Sequence, residues 1–238
     1  MTTHPTEAMV LAAGLGTRMR PLTDHRPKPL IDVAGKPLID HVIDALDRAG
    51  VSHVVVNAHY KGEMLISHLG ARTSPRITIS DERDHLMDTG GGVKKALPLL
   101  GDAPFFTYNS DFIWTESGTA ALTRMGAAWD ADKMDALMLL CPMDKTTGFE
   151  GAGDFFMDEA GRLTRRGDAP RAPYAWMGVQ IITKAAYADT PDAPFSNNLI
   201  WDRMIPEGRL FGLVHNGIGC HVGSPAGVRE AEEVLAKT

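Results

Sequence analysis

The residues of this 238-residue chain best suited to chemistry lie in Leu11-Ala-Ala-Gly-Leu-Gly-Thr-Arg18, continuing through Met19-Arg-Pro-Leu-Thr23 to Pro27-Lys-Pro-Leu30. Two glycines, Gly14 and Gly16, follow a short apolar run from Met9 to Leu11. Four cations (Arg18, Arg20, Arg26 and Lys28) then stand against a single acid, Asp24. Backbone amides at a glycine bend approach phosphate oxygens closely, and nearby Arg and Lys neutralise their charge. The expected chemistry is polyphosphate binding. The plainer alternative is a strand-to-helix turn with a solvated basic loop.

Other phosphate loops fit less well. A P-loop needs Lys-Ser or Lys-Thr after glycine at a set spacing, and neither this segment nor Thr89-Gly-Gly-Gly-Val-Lys-Lys95 has it. A dinucleotide fingerprint needs glycine where Met19 stands. It also needs an acid at the end of the next strand, where Val54-Val-Val-Asn57 ends in an amide.

Two further segments carry chemistry by type and place. Asp88-Thr-Gly-Gly-Gly92 precedes a helical pattern, and bare backbone there gives a flat ligand room to lie. Tyr108-Asn-Ser-Asp111 ends an apolar run, which aims Asp111 into a crevice. A carboxylate there suits Mg²⁺, which takes one or two carboxylates together with substrate phosphates. A capping or turn role for Asp111, and a flexible helix entry at the glycines, are the structural alternatives.

The elements that must position these groups follow from apolar periodicity. Strands are expected at Met9–Ala13, His53–Asn57, Arg76–Ser80, Phe105–Tyr108 and Ala136–Cys141. Helices are expected at Pro37–Ala49, Tyr60–Leu69, Val93–Leu100 and Ser117–Trp129. In the first helix Leu38, Ile39, Val42, Ile43 and Leu46 recur at spacings of three and four, so one face packs on a sheet. This alternation predicts an α/β fold, an open and mostly parallel sheet with helices on both faces. Ligands bind beyond the carboxyl ends of such strands. After about Thr146, strand-like pieces at Gly153–Met157, Tyr174–Thr183, Leu210–Val214 and Cys220–Val222 surround a helix near Asn197–Ile205. A last helix follows Ser224-Pro225. This region is expected to be a small accessory β layer closing over the ligand within one domain spanning 1–238.

Composition bounds the function. A net charge of −6 argues against a nucleic-acid surface. No apolar run approaches the ~20 residues of a membrane span. Cys141 and Cys220 lack metal-ligand spacing, and a buried, reduced Cys141 suggests a cytoplasmic setting. The polar leader Met1 to Glu7 reads as a frayed tail rather than a signal peptide. A monomer or small homo-oligomer is expected.

Leu11-Ala-Ala-Gly-x-Gly-x-Arg18 followed by Pro27-Lys28-Pro29 resembles, nearly residue for residue, the signature of the sugar-1-phosphate nucleotidylyltransferases. These are enzymes of Rossmann-like fold, and the resemblance runs in order along the whole chain. It implies transfer of a nucleotidyl group from an NTP to a sugar 1-phosphate, with pyrophosphate released and Mg²⁺ as cofactor. The backbone from Ala12 through Gly14, Leu15 and Gly16 to Thr17 would cradle the triphosphate, with Thr89, Gly90 and Gly91 at the base. Arg18 would hold the leaving pyrophosphate, and Lys28 would bridge the α-phosphate and the incoming phosphate. Asp111, in a segment resembling the family's N-G-D with Ser110 in place of glycine, would hold the metal. Gly219-Cys-His-Val-Gly-Ser224 resembles the segment supplying a second metal carboxylate, but here that position is His221, a poor ligand for Mg²⁺. A secondary contact and a structural histidine both remain open for it.

On the sugar side, Asn109, Gly153, Asp154 and Trp176 match family segments, although an aromatic in a strand is more often core. Arg165, Arg166, Asn57 and His59 are further candidates for substrate contact. Short length and Thr-Gly-Gly-Gly resemble the uridylyl-transferring members of cell-wall sugar recycling, which implies UTP and N-acetylmuramate 1-phosphate. Mannose-1-phosphate guanylyl transfer is the alternative within the class. A nucleotide-sugar-binding regulatory protein with weak catalysis is the alternative outside it.

Overall fold

In the computed structural model, which describes residues 4–237, each apolar run becomes a strand with its side chains divided between two layers. In chain order, β1 (Glu7–Leu11), β2 (Asp32–Val33) and β3 (Lys36–Pro37) precede α1 (Leu38–Arg48). There follow β4 (His53–Ala58), α2 (Gly62–Leu69), β5 (Arg76–Asp81) and α3 (Asp88–Ala96). Next come β6 (Phe105–Asn109), β7 (Phe112–Trp114), α4 (Ala121–Ala128), β8 (Ala136–Pro142) and β9 (Thr146–Thr147). The remainder comprises β10 (Phe155–Met157), β11 (Leu163–Arg165), β12 (Tyr174–Ile182), α5 (Asn198–Met204), β13 (Leu210–Val214), β14 (Gly219–His221) and α6 (Pro225–Leu235).

The central sheet runs β11-β10-β12-β6-β1-β4-β5, with β8 also paired to β12 and β13 to β8. Strands β6, β1, β4 and β5 are parallel neighbours. Period-two alternation assigns Val10, Val54, Val56, Phe106 and Leu139 to one face with α1, α2 and α4. Met9, Val55, Phe105 and Met138 go to the other face with α3 and α5. On α1, Leu38, Ile39, Val42, Ile43 and Leu46 are all fully buried, as their spacing requires. Each contributes about 1.5–3 kcal/mol of burial.

The architecture expected from the sequence is present, with three differences. The C-terminal strands do not form one layer: β10, β12 and β13 extend the central sheet, while the small accessory layer is the three-stranded sheet β7-β14-β9. Helix α3 starts at Asp88, five residues before the expected Val93, because its glycines lie inside the helix and not ahead of it. The N-terminal tail is tied down over residues 4–7. Pro5 is buried, Thr6 O accepts from Ser52 N at 2.9 Å, and Glu7 begins β1. Residues 1–3 of the expected tail lie outside the described residues.

No helix among the described residues is long and apolar enough to cross a membrane. Both cysteines are buried free thiols, and burial pushes each thiol up from its ordinary value.

Candidate active site

Parallel pairing aligns the carboxyl ends of three strands. Leu11 lies opposite Asn109, and Val10 opposite Val56, so Leu11, Asn57 and Asn109 floor a common cleft of about 340 Å³. Its walls are the loop Ala12–Met19, Lys28 and Pro29, the segment containing Leu86, Asp88 and Thr89, and Ser110, Asp111 and Gly223. The structure thus brings together Ala12, Gly14, Leu15, Gly16, Thr17, Arg18, Lys28, Thr89, Asn109 and Asp111. Four of the six places that meet there lie at or just after the carboxyl ends of the parallel strands β1, β4, β5 and β6, while Lys28–Pro29 and Gly223 come from the 3-10 turn and the loop after β14.

The loop is shaped by one glycine. Gly16 has φ +64, and a Cβ there would sit 2.9 Å from Thr23 Cγ2 and 3.1 Å from Lys28 Cβ. Its bareness therefore lets the Lys28 segment close against the bend. Thr23, buried, donates its hydroxyl to Gly16 O at 2.8 Å, and Tyr60 donates to Thr23 O at 3.0 Å. Thr23 and Tyr60 were not singled out in the sequence, because nothing local marks a loop clasp. The amides from Gly14 to Arg18 have no backbone acceptor among the described residues, as an anion-binding bend requires.

Lys28 begins a 3-10 turn (Lys28–Leu30) between two prolines. Its Nζ donates to Asp111 Oδ2 at 2.7 Å. Asp111 sits in the turn between β6 and β7, and its carbonyl accepts from Val222 N at 2.8 Å. The antiparallel pairing of β14 with β7 puts His221 opposite Phe112. His221 Nε2 then lies 3.6 Å from the same Asp111 Oδ2, with the imidazole stacked on the Phe112 ring at 4.9 Å. Its other nitrogen, Nδ1, donates to Gly148 O at 3.2 Å, a role fixed by the carbonyl's being an acceptor only. Burial alone would raise the Asp111 carboxyl, but the Lys28 ammonium and His221 reverse this and hold it well below the usual carboxylate range.

The donor set would fit Mg²⁺, which needs only one or two protein carboxylates. Lys28 and His221 both face Oδ2, so Oδ1 of Asp111 remains for a metal, and Mg²⁺ draws its other ligands from phosphates and water. Among the described residues no cluster of three or more acidic, His or Cys side chains forms a cage.

Other expected contacts lie elsewhere. Gly90 and Gly91 do not line the cleft: both donate their amides to Phe195 O, at 2.8 and 3.0 Å. A Cβ on Gly90 would lie 2.4 Å from the Phe195 ring, so these glycines serve packing. The structure does not bring Gly153, Asp154 and Trp176 into this cleft. Gly153 turns at φ +87 with Ala172 O where a Cβ would be. Asp154 Oδ2 accepts from Trp176 N at 2.9 Å, and burial pushes its carboxyl up. Trp176 makes a T-shaped contact with Trp201 at 4.7 Å and its indole N–H donates to Val179 O at 3.0 Å, which ties the ring into the protein. Arg165 binds Asp202 and Asn198, Arg166 binds the carbonyls of Gly153 and Ala169, and His59 donates to Glu82 O.

Asn57 does line the cleft. Its Oδ1 accepts from Ala12 N at 2.6 Å, and its Nδ2 donates to Glu82 Oε1 at 2.8 Å. Glu82, fully buried, was not foreseen, since a Glu just after a strand reads as a surface residue.

Over all of both chains the protein is 45% identical to the N-acetylmuramate alpha-1-phosphate uridylyltransferase of Caulobacter vibrioides. It is 41% identical, over 45% of this chain and 31% of the other, to the mannose-1-phosphate guanylyltransferase catalytic subunit beta of Danio rerio. In fold it matches a putative glucose-1-phosphate thymidylyltransferase from Bacillus anthracis with a TM-score of 0.82 at 16% identity, over 98% and 96% of the two chains. It also matches the inositol-1-phosphate CTP transferase of T. maritima with a TM-score of 0.77 at 20% identity, over 100% and 97%. Residues 7–163 fit the nucleotidyl transferase family model, a span that holds the glycine loop, Lys28 and Asp111, and the chain belongs to that family of nucleotidyltransferases.

Proposed function

We propose that this nucleotidyltransferase moves a uridylyl group from UTP to N-acetylmuramate 1-phosphate, in the cytoplasm and in the recycling of cell-wall sugars. The observation that carries the substrate assignment is the full-length 45% identity to a uridylyltransferase of that name. The match to guanylyltransferases covers less than half of this chain.

A phosphate oxygen of the sugar 1-phosphate attacks the α-phosphorus of UTP. One P–O bond forms, the bond from the α-phosphorus to the bridging oxygen breaks, and pyrophosphate departs with the electron pair. The attacking oxygen is already anionic, so no general base is needed, and the protein acts by positioning and charge neutralisation. The free amides of Gly14 to Arg18 cradle the triphosphate, and the Arg18 guanidinium meets the departing pyrophosphate. Lys28, held by Asp111, would bridge the α-phosphate and the incoming phosphate. Mg²⁺, held by Asp111 with His221 alongside, supplies charge neutralisation to the phosphates when bound. Leu86, Asp88 and Thr89, which line the cleft, would face the base.

A substrate grid tests the assignment: five nucleoside triphosphates against a panel of sugar 1-phosphates, with pyrophosphate release measured. UTP with N-acetylmuramate 1-phosphate is expected to give the highest kcat/KM. A higher value for GTP with mannose 1-phosphate would replace this reading with guanylyl transfer.

A further inference from the structure

Glu82 is a fully buried carboxylate with no cation partner among the described residues. Its oxygens instead accept from Asn57 Nδ2 at 2.8 Å and from Met87 N at 3.2 Å. Met87 is the capping residue of α3, so the carboxylate lies at the positive end of that helix, which offsets part of the cost of burying an anion. The position tolerates only acceptors. A carboxylate presents acceptors on both oxygens, whereas a glutamine would turn one amide donor toward a neighbouring donor. Gly92 leaves room for this pair: a Cβ there would stand 2.9 Å from Glu82 Oε1 and 3.0 Å from Asn57 Nδ2.

Asn57 is the relay. With its Nδ2 claimed by Glu82, its Oδ1 must face the other way, where it accepts from Ala12 N at 2.6 Å. Ala12 opens the glycine loop on one side of the cleft, and Met87 precedes the Asp88–Thr89 wall on the other. The strain agrees with a position held by its surroundings: Asp88, a non-glycine at the cleft, has φ +60. We infer that Glu82 is a positioning residue for nucleotidyl transfer, setting through Asn57 and Met87 the spacing between the phosphate loop and the base-side wall. This rests on the reading of the cleft as a nucleoside triphosphate site. It goes beyond that reading by assigning a role to a side chain outside the cleft.

The experiment is Glu82→Gln, with Asn57→Ala as the second variant and the double variant to close the cycle. For Glu82→Gln the KM for UTP is expected to rise at least about tenfold, with the KM for the sugar 1-phosphate within about twofold. Amide hydrogen exchange at Ala12, which Glu82 does not touch, is expected to accelerate by a similar factor. The double variant is expected to be no worse than the worse single, because both break one chain of contacts. An unchanged UTP KM in folded Glu82→Gln, or single effects that multiply in the double, would overturn the proposal. If Glu82→Gln does not fold, Asn57→Ala decides alone: an unchanged UTP KM there refutes the relay. Failure of the functional reading looks different, since the unaltered protein would then release no pyrophosphate from any triphosphate. The Ala12 exchange rate would still report whether Glu82 controls the loop.

Discussion

Lys28 and Asp111, 83 residues apart in sequence, share a 2.7 Å charge-assisted hydrogen bond at the mouth of the parallel sheet. The lysine comes from a turn fixed by two prolines, and the aspartate from the end of β6 beside β1. Each holds the other in the cleft. Lys28→Ala is therefore expected to lower turnover at least about a hundredfold, roughly 2.7 kcal/mol of transition-state stabilisation. Circular dichroism checks that the fold is kept, and near-normal pyrophosphate release from the folded variant would remove the mechanism.

Arg18 offers a cleaner separation of stability from function. It is exposed and makes no ion pair among the described residues, so Arg18→Ala should change stability by no more than about 0.5 kcal/mol. Turnover is nevertheless expected to fall at least about a hundredfold, through loss of the contact to the departing pyrophosphate. Thermal melting and steady-state kinetics on one preparation decide this. An active, unshifted protein would take Arg18 out of the site.

His221 stands 3.6 Å from Asp111 Oδ2, at the position that the family resemblance assigns to a second metal carboxylate. Asp111→Asn is expected to abolish Mg²⁺-dependent turnover. His221→Asp is expected to retain or raise it, since a hard oxygen donor suits Mg²⁺ better than imidazole does. A folded His221→Asp protein inactive at every Mg²⁺ concentration would give the histidine an essential role of its own. Turnover that demands Mn²⁺ or Co²⁺ would point to the same conclusion.

Gly90→Ala tests the packing role of the glycine run. The added Cβ would meet the Phe195 ring at 2.4 Å and Phe195 O at 2.9 Å. Overpacking of this kind costs about 1–3 kcal/mol, or roughly 2–4 °C in Tm per kcal/mol at this size. A Tm within one degree of the original would show that the Phe195 segment moves aside freely.

Asp44 is paired with both Lys36 and Arg72. Burial raises its carboxyl, but the hydrogen bonds and charges of these two cations outweigh that and depress it. A depressed folded value gives stability that is present above the unfolded pKa and lost as pH falls through the folded one. Asp44→Asn is expected to cost about 1 kcal/mol at pH 7. The Tm difference from the unaltered protein should shrink as pH drops below about 4, the ordinary aspartate value. A difference constant down to pH 2 would show that the loss is packing and not charge.

The sequence by itself determined the elements and half of the site. Apolar runs of period two and the α1 face at spacings of three and four are local patterns, and local steric preference expresses them directly as strands and helices. The glycine loop and Asp111 were legible from residue type at strand ends, which parallel strands gather on one edge, whereas the role of Lys28 came from the resemblance of Pro27-Lys28-Pro29 to the family signature. Only the tertiary structure decided what the remaining groups do. Gly90 and Gly91 look open in sequence, but their amides go to Phe195, more than a hundred residues downstream. Trp176 has the face to stack on a sugar, but its indole is tied to Trp201 and to Val179 O and does not line the cleft. Glu82 has the composition of a surface residue, and its burial follows from donors supplied by Asn57 and Met87. Which donor meets which acceptor across the sheet depends on packing between distant segments, and no spacing within the chain encodes that pairing.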